Sequence, residues 1–276
     1  SGTPVSSSIV GDSYGPGHYA QHGFTRVSLA RLIDTATARV VSRFHTNSYA
    51  LAQTVPARIR VPVSRVEVIP RGRNPDTFRP RTEQRRRSAR ASLGLARDDA
   101  VVLAVGRLDP VKGLDHLMRA MSQIAPSRPE ATLLLAGKPG AASAQLNQLA
   151  RSLKLNVRFL GHRDDVAELL AAADVLCLPS LREGFPGAAL EAIAVGCPVI
   201  ASDIPATREV LGPEYPASSF VPVGDVAALA AAIESQLANP SASSAAIRYG
   251  QIRFQKEYTI TAVARRMLTF FDSAAQ

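Results

Sequence analysis

The chain has 276 residues, of which 46% are hydrophobic and 20% are charged. This composition is typical of a globular protein and excludes a collagen-like repeat, a coiled coil and a disordered chain. No apolar run approaches the roughly 20 residues that a membrane-spanning helix needs. At about 150 residues per domain, the length predicts two domains or one large one.

The positive charge is unevenly placed along the chain. The formal net charge is +9, and residues 58–97 contain 12 arginines against three acidic residues. Such a stretch indicates either an anionic partner (a nucleotide, a nucleic acid or an acidic lipid surface) or a solvated arginine-rich face. Phe78 is the one aromatic residue in that stretch. Base stacking is therefore unsupported, and we expect no nucleic-acid partner.

The first hundred residues show short and irregular patterns. Apolar spacing predicts two strands and two helices: Val5–Val10, Val66–Ile69, Val27–Val41 and Asn47–Val55. The Pro- and Arg-rich residues 70–80 predict a linker. A charged helix is predicted over Arg81–Leu93, with Gly94 at its C-terminal cap.

From residue 100 onward, six short apolar runs alternate with helical patterns. The runs are Ala100–Val105, Ala131–Ala136, Val157–Leu160, Asp174–Leu178, Pro198–Ala201 and Ser219–Val223. Because these runs are continuously apolar, they predict strands that are covered on both faces. The alternation predicts an α/β fold with a doubly wound parallel sheet, whose ligands bind at the carboxyl ends of the strands. Tyr258–Phe271 predicts a final helix.

Polar residues follow two of these predicted strands. Gly106, Arg107 and Lys112 follow the first strand; the glycine allows a ligand to approach, and the two cations suit a phosphate. Glu183 and Glu191 follow the fourth strand, eight residues apart on either side of a predicted helix start. Carboxylates accept hydrogen bonds from vicinal hydroxyls, so the pattern indicates a ligand with both phosphate and sugar groups.

Other kinds of site lack a signature in the sequence. There is no phosphate loop, dinucleotide fingerprint, zinc-protease motif or nucleophile elbow, and the five histidines have no metal-ligand spacing. Cys177 and Cys197 lie in apolar runs and are predicted to be core thiols of a protein from a reducing compartment. No motif in the sequence thus points to a metal or a cofactor.

The motifs together resemble those of the family 4 retaining glycosyltransferases, which have the GT-B fold of two Rossmann-like domains. Residues 100–237 resemble the C-terminal domain of that family, and Glu183-Gly184-Phe185-Pro186 through Glu191 resembles its E-x7-E motif. Further matching segments are Gly106-Arg107-Leu108, Lys112-Gly113, Leu134–Gly137, Val157–Gly161, Ala173–Val175, Pro179-Ser180 and Gly196–Asp203.

The resemblance implies a role for each matching residue. Arg107 and Lys112, with Gly106, would hold the diphosphate of a nucleotide sugar, most simply a UDP- or GDP-sugar. Glu191 would bind the ribose and Glu183 the donor sugar, as the candidate catalytic residue. The remaining positions would line the sugar or border the base: Gly184, Phe185 and Pro186 for the sugar, Gly161 and His162 for the base.

The resemblance also implies a domain organisation. Residues 1–76 would be an incomplete, acceptor-side Rossmann-like domain, and 77–99 an Arg-rich linker and helix. Residues 100–250 would form the donor domain, and 251–276 a helix returning to the first domain. About a hundred residues of the family pattern would be missing, so we expect an additional N-terminal segment or self-association. The first strand often ends in a histidine in this family; here Val10-Gly11 takes that place, and His18 and His22 are candidate substitutes.

The resemblance therefore implies a bacterial, cytoplasmic, retaining hexosyltransferase that uses a nucleotide-sugar donor, needs neither a metal nor a cofactor, and acts on a glycan, lipid or small-molecule acceptor. Peripheral contact with an anionic membrane is also expected from the basic stretch. Two other interpretations stay open: a phosphorylase or sugar-phosphate synthase on the same fold, and a nucleotide-sugar-binding fragment or pseudoenzyme without turnover.

Overall fold

The computed structural model describes residues 5–11, 14–15, 19 and 23–275. Two compact units form the chain: Ser1–Gly72 with Glu257–Gln276, and Arg73–Lys256. We call them unit 1 and unit 2. Across the described residues, no helix has the length and apolar character needed to cross a membrane.

Unit 1 contains a small parallel sheet of three strands in the order β1-β2-β3. The strands are β1 (Ser6–Ile9), β2 (Arg43–Thr46) and β3 (Val66–Val68), with the helices α1 (Phe24–Thr37) and α2 (Tyr49–Arg58) between them. Phe44 of β2 packs with Val27 of α1 and with Val55 of α2 in one apolar cluster. The C-terminal helix, Ile260–Ala275, packs through Val263 and Phe270 on Ile69.

The sequence did not predict β2. Its four residues alternate between partly exposed and buried positions, which is a strand pattern. Four residues of mixed polarity are too few to stand out from a loop in the sequence alone.

Unit 2 contains a six-stranded sheet in which every pairing is parallel. The strands are β4 (Val101–Val105), β5 (Thr132–Ala136), β6 (Val157–Gly161), β7 (Val175–Leu178), β8 (Val199–Ser202) and β9 (Phe220–Val221). Their order across the sheet is β6-β5-β4-β7-β8-β9. The order reverses between β4 and β7, which is where doubly wound sheets bind ligands. The predicted doubly wound parallel sheet is confirmed.

Eight helices of unit 2 lie before, between and after these strands. They are α3 (Glu83–Ser92), α4 (Leu114–Ile124), α5 (Ser143–Ser152), α6 (Val166–Ala172), α7 (Gly187–Val195), α8 (Pro205–Leu211), α9 (Val226–Ala238) and α10 (Ser244–Arg253). The core is apolar on both faces of the sheet, because Val102 and Leu103 are successive residues of β4, point to opposite faces and are both fully buried. Cys177 and Cys197 are buried and unbridged, and burial raises the pKa of both thiols, that of Cys197 to about 11.

The arginines of α3 are used inside the protein. Arg85 pairs with Glu168 of α6 at 2.8 Å, and Arg90 pairs with Asp174 at 2.8 Å. Arg86 pairs with the other oxygen of Asp174 at 2.5 Å. Because of these pairs, residues 77–99, which were expected to be an Arg-rich linker and helix, belong to unit 2, and helix α3 packs against α6.

The boundaries of the two units differ from the expected 1–76, 77–99, 100–250 and 251–276. The first falls after Gly72, because the side chain of Arg73 is bound within unit 2. The second falls after Lys256, within a π-helical turn over Phe254–Tyr258. Helix α10, which the sequence did not predict, precedes that turn, and the final helix follows it.

Candidate functional site

A cavity of about 410 Å³ opens at the carboxyl ends of β4, β5, β6 and β7. This volume is within the range of small-molecule sites. Its walls come from the loops after these strands and from the first two turns of α7. The cavity thus lies at the reversal of strand order, within unit 2.

The loop after β4 brings two cations to the cavity. Gly113 has a left-handed conformation, with φ of 60°, and a Cβ atom there would collide with the carbonyl of Pro179. The 3-10 turn Pro110–Lys112 precedes this glycine and places Lys112 in the cavity wall. Arg107 pairs with Asp109 at 2.5 Å and keeps 63% of its side chain exposed. Arg107 is therefore accessible to an anionic ligand.

Lys112 and Glu183 contact each other directly. The Nζ atom of Lys112 lies 2.6 Å from Oε1 of Glu183, and the hydroxyl of Ser180 donates to the same oxygen at 2.7 Å. The Glu183 side chain is 11% exposed. The sequence placed these two residues at different parts of a ligand, whereas the structure joins them in one ion pair.

Helix α7 begins at the cavity. Its first residue, Gly187, and the preceding Pro186 line the wall, so the free N–H groups of the first turn lie beside the cavity. The positive end of the helix dipole favours an anion at this place. Glu191 lies one turn further along and lines the same cavity.

Glu191 has a partner that the sequence did not indicate. Nε of Arg73 donates to Oε1 of Glu191 at 2.7 Å, and the two side chains are 24% and 13% exposed. Burial raises the pKa of Glu191 above its ordinary value, while the charge and the hydrogen bond of Arg73 act in the opposite direction. The two residues are 118 positions apart, so no local pattern could have revealed the pair.

Two further cations, Lys138 and Arg163, line the cavity and were absent from the sequence prediction. Arg163 is held by Asp165 through contacts of 2.7 and 2.5 Å. Lys138 directly follows Gly137 at the end of β5, so the strand-end rule that found Arg107 could also have found it. A Cβ atom on Gly137 would collide with the carbonyl of Gly106, which shows that the loops after β4 and β5 touch through their backbones.

The structure brings most of the predicted residues together. Eight of them line the cavity: Gly106, Arg107, Lys112, His162, Glu183, Phe185, Pro186 and Glu191. Gly161, the last residue of β6, and Gly184 adjoin it without lining it. The candidate histidines of the N-terminal part, His18 and His22, lie outside the described residues.

The arrangement can hold a ligand that is both anionic and rich in hydroxyls. Four cations and a helix N-terminus suit a diphosphate, and two partly buried carboxylates suit sugar hydroxyls. Within the ranges that the structure describes, no three His, Cys, Asp or Glu side chains are grouped so that they could hold a metal ion.

A family model described as "Glycosyl transferases group 1" matches residues 85–253, which include every residue of this cavity. The chain belongs to the group 1 glycosyltransferases. A curated relative from Corynebacterium glutamicum, a GDP-mannose-dependent monoacylated alpha-(1-6)-phosphatidylinositol monomannoside mannosyltransferase, is 31% identical over 217 residues. That match covers 75% of this chain and 56% of the relative.

A D-inositol 3-phosphate glycosyltransferase of Rhodococcus erythropolis is 38% identical over 151 residues, covering 51% of this chain and 34% of the relative. This group 1 chain therefore spans between a third and somewhat over half of the length of these curated relatives.

Solved structures of glycosyltransferases share the fold. The sucrose-phosphate synthase of Thermosynechococcus elongatus is 30% identical, with a TM-score of 0.79 over 96% of this chain and 67% of its own. Anabaena HepE, solved in complex with UDP and glucose, is 23% identical, with a TM-score of 0.84 over 98% of this chain and 72% of its own. These likenesses confirm the predicted GT-B type of fold.

Proposed function

We propose that this chain carries the donor site of a retaining, metal-independent hexosyltransferase that uses a nucleotide sugar. One observation carries the proposal: a single cavity at the reversal of strand order combines four cations, a helix N-terminus and two carboxylates. A nucleoside diphosphate joined to a sugar presents the complementary groups in one molecule.

The placement of the donor follows from the positions of these groups. The diphosphate would lie between Arg107, Lys112 and the N-terminus of α7. The ribose would lie against Glu191, and the base would lie near Gly161 and His162 at the end of β6. The donor sugar would lie by Glu183 and the backbone of Gly184, Phe185 and Pro186.

The proposed reaction breaks the bond between the sugar C1 and the diphosphate oxygen, while the oxygen of the acceptor hydroxyl forms a new bond to C1 from the same face and its proton passes to the departing diphosphate. Negative charge then grows on the leaving diphosphate, where Arg107, Lys112 and the helix N-terminus supply positive charge. Because Lys112 is also bound to Glu183, the same ion pair would orient the sugar and the leaving group. We assign no nucleophile or base on the protein.

The comparisons indicate which donors should be tested first. The Corynebacterium glutamicum relative is described as GDP-mannose-dependent and HepE as bound to UDP, so GDP- and UDP-sugars are the first donors to test. We propose a glycan, a lipid or a small molecule as the acceptor, and a bacterial cytoplasm, with peripheral contact to the membrane, as the location.

The test starts from ligand binding. Thermal unfolding should be followed with UDP, GDP and ADP and with their sugars, since a ligand at 100 times its Kd stabilises by about 2.7 kcal/mol. Sugar-transfer assays on the same chain then separate an enzyme from a nucleotide-sugar-binding protein without turnover. If none of these ligands shifts the unfolding temperature, the proposed function is wrong.

The diphosphate placement and the metal independence have a test of their own. Replacing Arg107 by Ala should weaken nucleoside-diphosphate binding by about 1.5–3 kcal/mol, the value of a hydrogen bond to a charged group. Arg119→Ala, at an exposed position of α4, is the matched control. Titration calorimetry with and without EDTA should give the same affinity, and a strict need for Mg²⁺ or Mn²⁺ would contradict the proposal.

A further inference from the structure

Arg73 is the first residue of unit 2, and its side chain reaches the partly buried carboxylate of Glu191. Its Nε lies 2.7 Å from Oε1 of Glu191. A Cβ atom built on Gly187 would lie 2.8 Å from Nη2 of Arg73, so the guanidinium lies against the first residue of α7. Gly187 and Glu191 are four residues apart and hence on one face of that helix.

Hydrogen bonds hold the backbone that follows Arg73. The side chain of Asn74 accepts from the N–H of Asp76 at 2.9 Å, which closes a tight turn. Further on, the N–H of Arg81 donates to the carbonyl of Val195, the last residue of α7, at 2.8 Å. The segment that carries Arg73 is therefore attached to the same helix that carries Glu191.

The contact uses one of the two carboxylate oxygens. Oε1 accepts from Arg73, whereas Oε2 has no hydrogen-bond partner among the residues that the structure describes. Glu191 also lines the cavity. A buried carboxylate with one oxygen held by a guanidinium has its orientation fixed, and it retains acceptor capacity for a ligand.

We infer that Arg73 is a positioning residue of the donor site, which holds the ionised carboxylate of Glu191 ready to accept the ribose hydroxyls of the nucleotide. This inference rests on the proposed function, because it needs a nucleotide in the cavity. Arg73 acts through Glu191 and does not itself contact the donor.

The alternative is that Arg73 acts as a plug, meaning that its guanidinium takes up the carboxylate of Glu191 and so competes with the nucleotide for it. The two roles predict opposite effects of removing Arg73 on nucleotide affinity. A positioning residue strengthens nucleotide binding, so its removal weakens binding, whereas removal of a plug strengthens it.

The experiment measures the affinity of the 276-residue chain for a nucleoside diphosphate by titration calorimetry, with GDP and UDP as the probes. The variants are Arg73→Gln, which removes the charge, and Arg73→Lys, which keeps it. Arg71→Gln, two residues away at an exposed position, is the matched control. Each titration is repeated with the 2′,3′-dideoxy form of the same diphosphate, which lacks the hydroxyls assigned to Glu191.

We expect Arg73→Gln to weaken binding of the ordinary diphosphate about tenfold, equivalent to the loss of one hydrogen bond to a charged group. Binding of the dideoxy form should change by less than about twofold, because this form has no ribose hydroxyl to donate a hydrogen bond to Glu191. Arg73→Lys should recover most of the affinity, and Arg71→Gln should bind like the parent chain.

Equal losses for both forms of the ligand would mean that Arg73 has only a structural role, and tighter binding by Arg73→Gln would show that it is a plug. Either result overturns the inference and leaves the proposed function intact. If the parent chain binds neither diphosphate, the proposed function itself fails and the inference fails with it.

Discussion

Glu183 and Glu191 line the same cavity but are bound to different partners. Glu183 is bound to Lys112 and Ser180, and Glu191 is bound to Arg73. Each carboxylate is therefore held by its own cation. A substitution at one of them should leave the other in place, so their roles can be tested separately.

Replacement of each carboxylate should have a different consequence for the ligand. We expect Glu191→Gln to weaken binding of a free nucleoside diphosphate about tenfold, because the ribose hydroxyls lose an ionised acceptor. Glu183→Gln should keep that affinity or raise it slightly, since it frees Lys112 for the diphosphate, but it should reduce discrimination among sugars. Competition binding with a panel of nucleotide sugars measures both effects. Equal losses of nucleotide affinity in the two variants would contradict the assignment.

The raised pKa of Glu191 predicts the direction in which the free energy of unfolding changes with pH. The folded chain binds this proton more tightly than the unfolded chain does, because burial disfavours the charged form. Relative to Glu191→Gln, the parent chain should therefore lose stability as the pH rises from the ordinary glutamate value through the raised pKa. Above that window the difference should be constant.

Urea unfolding at a series of pH values measures this difference. Glu214→Gln, at an exposed position, should show no comparable trend and is the control. A parent chain that gained stability over Glu191→Gln across the same window would show that Arg73 outweighs burial.

The elements of unit 2 differ in how their arginines are used. Arg85 and Arg90 of α3 are buried, whereas Arg87 of the same helix is exposed. Arg90 also donates to the carbonyl of Ala172 at 3.0 Å, in addition to its pair with Asp174. Charge-assisted hydrogen bonds therefore attach helix α3 to α6 and to the residues between α6 and β7.

Replacing Arg90 by Met should consequently destabilise unit 2. We expect a loss of about 3 kcal/mol, at the lower end of the range for breaking a buried ion pair, because Arg86 still pairs with Asp174. Arg87→Met, on the exposed face, should change stability by less than about 0.5 kcal/mol. Chemical denaturation of the two variants decides the matter, and similar values for both would contradict a structural role of Arg90.

The elements that the sequence predicted well are mostly those with a continuous apolar run or a regular apolar spacing. The strands of unit 2 were predicted to within a few residues, because strands such as Val101–Val105 are apolar throughout. In unit 1 the four-residue strand β2 was not predicted, because its polar residues interrupt the apolar pattern that indicates a strand. In the site, the strand-end rule found Arg107, Lys112 and the two glutamates. Arg73 could not be found, since its contact with Glu191 exists only through the tertiary fold.

At the scale of the whole molecule, the cavity and all its lining residues belong to unit 2. A nucleoside diphosphate should therefore slow hydrogen exchange in the loops around residues 105–113 and 178–191. Exchange in β1, β2 and β3 should not change. Mass-spectrometric hydrogen exchange with and without GDP or UDP measures this, and protection confined to unit 1 would place the site elsewhere.

The net charge of +9 describes the whole sequence, but in the folded chain some of the arginines are paired with carboxylates. Arginines 73, 85, 86 and 90 all pair with carboxylates inside unit 2. Four of the twelve arginines in the basic stretch are thus paired within the protein. The cations around the cavity come from separate loops and lie outside that stretch.

The backbone contact between Gly137 and Gly106 limits how this protein can change over evolution. The floor of the cavity there is main chain, and any larger residue at position 137 would push the two loops apart. A change of ligand must therefore come from the side chains of the walls, His162 among them, and not from the main chain at this point. Libraries made to alter what the cavity binds should leave position 137 as glycine.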